Sequence, residues 1–418
     1  MNRLEQLIKN LCPNGVEYKK LGDIATDVFR GAGITRDQVT EEGTPCVRYG
    51  EIYTTYGIYF DTCVSHTDED SIQSKKYFEY GDILFAITGE SVEDIAKSTA
   101  YVGHEKCLAG GDIVVLKHNQ NPKYLSYVLS TTSAQMQKRK GKVKSKVVHS
   151  SVPSIKDIVI PVPPIEVQGE IVKILDNFTE LTAELTAELT AELTARQKQY
   201  EYYRDMLLDF DVHGGATSDC EWWTLSQLCD IVDYRGKTPK KTNEGVFLVT
   251  AKNIKKGYID YDCSKEYISV DSYDEVMHRG LPKIGDILIT TEAPLGNVAQ
   301  IDDEKIALAQ RVIKYRPKDR TILLSGFLKH YLLGNEFQNR LNMASTGGTV
   351  KGIKGSKLHQ LTIPVPPMEE QERIVSILDR FDKLCNDISE GLPAEIEARR
   401  KQYEYYRDKL LSFEEVKA

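Results

Sequence analysis

The string I-P-V-P-P occurs at residues 160-164 and again at 363-367, an offset of 203. At that same offset R-Q-K-Q-Y-E-Y-Y-R-D-M-L-L-D-F (196-210) returns as R-R-K-Q-Y-E-Y-Y-R-D-K-L-L-S-F (399-413). The chain is a tandem duplication, which settles what the repeating unit is before any element is assigned. An unbroken offset means no net insertion between each Pro-rich opening and its Tyr-rich close, while the stretches upstream of the openings are far less alike. The frames stayed alike and the heads diverged.

Residues 165-210 hold no proline and one glycine, Gly169. Apolar residues at Ile171, Leu175, Phe178, Leu181, Leu185, Leu189 and Leu193 step by three or four, which predicts one long helix. At about 1.5 Å per residue, ~45 residues span roughly 65-70 Å, too long to be buried inside one compact domain, so a partner helix is required. The second copy offers it through Ile374, Ile377, Leu378, Phe381, Leu384 and Ile388, continuing past Ile396 to Tyr403, Tyr406 and Leu410. An antiparallel pair is expected, because the globular segment between the two helices can return the chain to either end. Gly391 and Pro393 predict a kink or short break in the second helix.

Thr179 to Thr194 is a run of the tetrad L-T-A-E. Leucine at every fourth residue advances about 400° per step, so the stripe drifts by about 40° per tetrad and stays on no single face. The run reads as a solvated spacer of strong helix formers in which each tetrad adds about 6 Å of length.

Upstream of each frame, short β-rich runs are broken by Gly and Pro. Gly81-Ile87 and Gly285-Thr290 correspond at an offset of 204, and helical stretches follow at Tyr124-Leu129 and Phe327-Leu333. The expected fold is therefore α/β (α+β): two mixed heads on one skeleton, with a long antiparallel two-helix coiled coil and a pseudo-twofold internal repeat. The expected boundaries are 1-155 for the first head, 156-212 for the first spacer helix, 213-358 for the second head and 359-418 for the second spacer helix.

The chemistry points to binding. Eight scattered cysteines without a C-x-x-C pair suggest neither a zinc site nor a disulfide scaffold. No apolar run reaches the roughly 18 residues of a membrane span, and residues 1-10 lack the layout of a secretory signal, so a cytoplasmic protein without membrane contact is expected. There is no Walker A loop, no F-x-G-x-G with a downstream Asn/Asp-Pro-Pro-aromatic, and no H-E-x-x-H. No catalytic residue, metal ligand or cofactor site emerges.

The net charge is -8, yet positive charge is concentrated locally. Lys138, Arg139, Lys140, Lys142, Lys144 and Lys146 occur from 137 to 149 with no acidic residue, and the equivalent position of the second head, 342-356, is rich in Gly, Ser, Thr and Lys. Such loops suit phosphates.

These residues resemble a known family, the specificity subunit of type I restriction-modification enzymes, over essentially the full length. The resemblance rests on I-P-V-P-P-x-E-x-Q-x-x-I-V-x-I-L-D at 160-176, its counterpart at 363-379, the Tyr-rich closes and the L-T-A-E run. It extends to R-Y-G-E-I-Y (48-53) and G-E-S-V-E-D (89-94) in the first head, and to R-G-K-T-P (235-239), A-Q-R-V (309-312) and S-T-G-G-T-V-K (345-351) in the second.

The resemblance implies two target-recognition domains, each reading half of a bipartite, asymmetric site on double-stranded DNA. It implies a non-catalytic subunit on which two modification (methyltransferase) subunits dock, with restriction (motor-nuclease) subunits joining. S-adenosylmethionine, ATP and Mg would be held by those partners. On this reading Lys138, Arg139, Lys142, Lys144, Lys351 and Lys354 are expected mainly at phosphates, and Arg48, Arg235, Lys237 and Asn253 at bases or phosphates. Tyr200, Tyr203, Leu207 and Phe210 share one helix face, as do Tyr403, Tyr406, Leu410 and Phe413; either a helix-pair core or a subunit-docking surface accounts for them. The alternative is a coiled-coil protein-interaction scaffold without DNA specificity, and a third is a self-sufficient methyltransferase.

Overall fold

The computed structural model describes residues 3-140, 147-210, 220-234, 239-348, 350-386 and 391-416. The chain forms two compact units, residues 1-185 with 398-418, and residues 186-397. Each joins one head to the opening of its own frame and the Tyr-rich close of the other copy.

In the first unit a five-stranded sheet runs in the order Ala25–Arg30, Ile113–His118, Ile83–Ala86, Ser98–Tyr101, Tyr59–Phe60. Its central strand reads I-L-F-A and is buried throughout, and the two-residue period of a strand sends its side chains to two different cores. Ile83 and Phe85 join Val114, Leu116, Tyr124 and Leu125 on the helical side. Leu84 and Ala86 join Val47, Phe78, Tyr101, Ile113 and Val115 on the other. There a second sheet packs, in the order Val39–Thr40, Ser65–Thr67, Thr44–Val47, Cys107–Ala109, Tyr77–Phe78. Thr44–Val47 and Cys107–Ala109 are parallel, so both leave the sheet at the same edge.

The second unit repeats this plan. One sheet runs Cys229–Asp233, Val312–Pro317, Ile287–Thr291, Leu295–Gln300; the other runs Lys241–Thr242, Tyr267–Ile268, Val246–Val249, Ile306–Leu308. Again Ile287 and Ile289 face one core while Leu288 faces the other. Val246–Val249 and Ile306–Leu308 are the parallel pair.

The long spacer helix, α1, spans Ile165–Leu207. The second spacer is two helices, α2 (Met368–Asn386) and α3 (Leu392–Leu410), in line with the break expected from Gly391 and Pro393. Pro393 falls in the first turn of α3, where its missing N–H has no intrahelical acceptor to lose. Within the first unit Phe178 meets Tyr406 with ring centroids 5.9 Å apart, and Thr179 Oγ1 lies 2.9 Å from the Tyr403 hydroxyl. Within the second, Tyr203 stacks on Phe381 at 5.7 Å and Arg196 is in electrostatic reach of Cys385. In both, later residues of one helix meet earlier residues of the other, so the pairs are antiparallel.

The duplicated opening has a specific structural task. Gln168 is fully buried; its Nε2 donates to the Pro163 carbonyl at 2.7 Å, and its Oε1 accepts from Asn121 N–H at 3.0 Å, just before helix Pro122–Leu129. Gln371 does the same, donating to the Pro366 carbonyl at 2.8 Å and accepting from Leu324 N–H at 3.0 Å, before helix Ser325–Leu333. The aspartate closing each motif ties the same two helices together. Asp176 takes Lys123 at 2.7 Å and the Tyr127 hydroxyl at 2.8 Å, and Asp379 takes His330 Nε2 at 2.7 Å. Pro-Pro-x-x-x-Gln and its Asp are thus the fastening between frame and head.

Candidate nucleic-acid interface

Arg48 follows Val47 at the edge where the two parallel strands of the first head leave their sheet. Its backbone N–H donates to Glu51 Oε2 at 3.0 Å and its Nε to Glu51 Oε1 at 2.9 Å, while Ser65 Oγ donates to that same Oε1 at 2.7 Å. Glu51 is buried, so the guanidinium is anchored to a carboxylate that is itself fixed. Arg48 lines an open cavity of about 530 Å³, with Arg36, Tyr49, Gly50, Gly111 and Asp112 among its walls.

Glycine lets the backbones converge there. A Cβ on Gly31 would lie 2.1 Å from the Gly110 carbonyl oxygen, and one on Gly110 would lie 2.8 Å from that of Val47. At Gly33 and Gly50, by contrast, a Cβ would meet nothing within 4 Å, because these two face the open space. Asp112 on the wall is occupied by Arg30, whose Nη2 donates to it at 2.5 Å.

The same backbone feature recurs in the second head with different chemistry. Thr250 follows Val249 as Arg48 follows Val47, and its N–H donates to Asn253 Oδ1 at 3.0 Å, three residues on. The Thr250 hydroxyl donates to that oxygen at 2.8 Å. Where Asp112 carries the carbonyl that accepts from Ile87 N–H at 2.9 Å, Arg311 carries the one that accepts from Thr291 N–H at 2.9 Å. Arg311 pairs with Glu292 at 2.7 Å. One skeleton thus presents Arg48, Glu51 and Asp112 in one head and Thr250, Asn253 and Arg311 in the other.

The Gly-rich loop of the second head is closed at its base by backbone hydrogen bonds. Thr346 N–H and Gly352 N–H donate to each other's carbonyls at 2.8 and 2.9 Å, and Ile353 N–H donates to the Thr291 carbonyl at 3.0 Å. Gly347 has φ +122°, and a Cβ there would lie 2.3 Å from the Val350 carbonyl oxygen. Lys351, in this loop, and Lys354, just before helix Gly355–Leu358, are exposed.

Two expectations need correction. Lys138 does not face solvent: it is 3% exposed, and its ammonium donates to the Leu129 carbonyl at 2.8 Å and to Ser98 Oγ at 3.2 Å. Helix Thr132–Arg139 turns it inward while Arg139, one residue on, is exposed with its guanidinium on the Glu93 carbonyl at 2.9 and 2.6 Å. Asn253 is fully buried, and its side-chain nitrogen is committed to the Asp260 and Ser264 carbonyls, both at 2.9 Å, so it cannot reach a base. Lys142, Lys144, Arg235 and Lys237 lie outside the described residues.

The Tyr-rich faces turn mostly inward. Tyr200 is buried with its hydroxyl 3.0 Å from His330 Nδ1; Leu207 and Phe210 pack on the core that contains Phe327 and Ile374. Leu410 and Phe413 pack on the core of the first unit, and the Phe413 carbonyl accepts from the Tyr18 hydroxyl at 3.0 Å. Tyr406 keeps 40% of its surface exposed, and the most open tyrosines are their neighbours Tyr202 and Tyr405, at 65% and 61%.

The sequence gives no role to Glu51 as the anchor of Arg48, and it marks Arg311 only as part of the A-Q-R-V segment, without singling it out as a contact residue. The first had a visible signal, an acid three residues after the arginine at the end of a strand. Among the described residues no three His, Cys, Asp or Glu side chains are grouped to hold a metal ion. Among them too, no helix is long and apolar enough to cross a membrane.

The family profile of the type I restriction modification DNA specificity domain matches the chain twice, at residues 13-195 and 218-398. The chain is 38% identical over 275 residues to a putative type I restriction enzyme specificity subunit of Haemophilus influenzae, a match covering 62% of this chain and 65% of that one. It is 37% identical over 274 residues to the EcoR124I/EcoR124II specificity subunit of Escherichia coli, covering 62% and 64%. The matches thus span somewhat less than two thirds of these relatives' own lengths. In fold the chain is similar to one from a structural study of complex assembly and conformational transition in a type I restriction-modification system, with TM-score 0.60, 20% identity and coverage of 96% and 98%. With both heads matched by the same profile, the chain belongs to the type I restriction modification DNA specificity family.

Proposed function

We propose that the chain is the non-catalytic DNA-reading subunit of a type I restriction-modification complex. Each head reads one half of a bipartite, asymmetric duplex site, and two modification subunits and the motor-nuclease subunits dock on the same chain. S-adenosylmethionine, ATP and Mg belong to those partners on this reading. The observation that carries it is the pair of heads with one sheet plan and different side chains at matching positions, Arg48 and Asp112 against Thr250 and Arg311, with Glu51 and Asn253 as the buried groups that hold Arg48 and Thr250. Reading two different half-sites requires different donors and acceptors at the base edges on a shared scaffold. Phosphate contacts add affinity without sequence information, a part suited to exposed Lys351 and Lys354.

The test is selection of bound duplexes from a random pool by the full chain assembled with its modification subunits. The expected product is two short defined runs separated by a gap of constant length and no sequence preference. A pool that stays random, with capture of proteins only, would favour the scaffold reading.

A further inference from the structure

Resting on the DNA-reading function just proposed, we infer that Arg48 is the guanine reader of the first head and that Glu51, held by Ser65, is its positioning residue. Three observations converge. First, the guanidinium is pinned on one side only. Nε and the backbone N–H are spent on Glu51, and among the described residues neither Nη group has a partner. Two parallel N–H donors therefore remain beside the cavity of about 530 Å³ that Arg48 lines.

Second, the pairing separates Arg48 from the phosphate-binding cations. Glu51 lies at 2.9 Å and largely cancels the charge, so the long-range pull on an anion is weak, whereas the direction of the Nη donors is fixed. A fixed, charge-compensated fork suits a neutral edge with two acceptors, and the O6/N7 edge of guanine is that edge among the four bases. Arg36, on the wall of the same cavity, is exposed and free of such a counter-charge among the described residues. It is suited to the backbone instead.

Third, the second head keeps the device and changes its tip. Thr250 and Asn253 close the same three-residue box through the same backbone N–H, with a short hydroxyl in place of the guanidinium. The box is thus a mount, built on Glu51 in one head and Asn253 in the other, and it presents Arg48 in the first and Thr250 in the second.

The experiment is duplex selection from a random pool, with sequencing, by the assembled complex carrying wild-type chain, Arg48→Ala, Arg48→Gln or Glu51→Gln. Wild type is expected to select guanine at one position that Arg48→Ala leaves unselected, a loss of about 5- to 150-fold in discrimination there, with all other positions and the other half-site unchanged. Arg48→Gln, which keeps a side chain over the same box, should move the preference at that position toward adenine. Glu51→Gln should weaken the guanine preference while raising non-specific affinity and steepening its salt dependence, because it frees a positive charge; a merely structural role would lower both.

If wild type selects a bipartite site but Arg48→Ala and Arg48→Gln keep its base preferences and lower affinity evenly, Arg48 is a phosphate contact and the inference fails alone. If wild type selects no sequence, the proposed function fails with it.

Discussion

Lys138 is turned into the first head, with its ammonium enclosed by Ser98 Oγ, the Leu129 carbonyl and, at 5.8 Å, the Phe85 ring. With no carboxylate among these contacts, burial dominates and pushes its pKa down to about 7. A lysine depressed in this way binds its proton less readily folded than unfolded. Its charging therefore opposes folding most below pH 7, and the opposition fades as pH rises from 7 toward the unfolded value of about 10.4. Raising the pH from 7 to 9 should add about 2 kcal/mol to stability through this residue alone, and Lys138→Met should remove that rise in denaturant titrations. On the proposed function, DNA affinity of Lys138→Met should stay within about twofold of wild type, whereas Lys351→Ala and Lys354→Ala should each weaken binding to all sequences and lower the salt slope by about one. Equal losses for Lys138→Met and Lys351→Ala would contradict the assignment. The six cations from Lys138 to Lys146 look alike in sequence because composition records charge and not direction. Only the helix Thr132–Arg139 and its packing show that the first of them turns inward and the second outward. Asn253 eluded the sequence for the same reason, since a buried amide satisfied by carbonyls 7 and 11 residues away has no local signature.

Among the elements, α1 was legible from its period, and the break between α2 and α3 from Gly391 and Pro393. The period also foretold the spacer. Leu181 is 62% and Leu185 37% exposed, as a drifting leucine stripe requires, while Thr182, Thr190 and Thr194 donate to the carbonyls four residues back at 2.7, 2.7 and 2.9 Å. These three threonines thus satisfy their hydroxyls along the helix itself. Removing one tetrad should shorten α1 by about 6 Å and, on the proposed function, bring the half-sites closer by one or two base pairs at about 3.4 Å each. Methylation mapping of the deletion checks this, and an unchanged gap contradicts it. What the period could not reveal was the work of Gln168, Gln371, Asp176 and Asp379. Their partners lie about 50 residues upstream, and spacing within a helix carries no information about them.

At the scale of the molecule, the offset of 203 foretold two frames and two heads, but not how the copies share their parts. Each compact unit takes its Tyr-rich close from the other copy: Leu411 and Phe413 complete the core of the first unit, and Tyr200, Leu207 and Phe210 that of the second. The head can therefore be exchanged cleanly only if the frame contacts remain, Tyr18 to Phe413 and Gln168 to Asn121 above all. Independent reading by the two heads is the core of the proposed function. It is tested most directly by replacing residues 25-118 with the corresponding segment of another family member and sequencing the duplexes that the assembled complex selects. One half-site should change completely while the other half and the gap stay as they were. A change in both halves, or in neither, would contradict the claim.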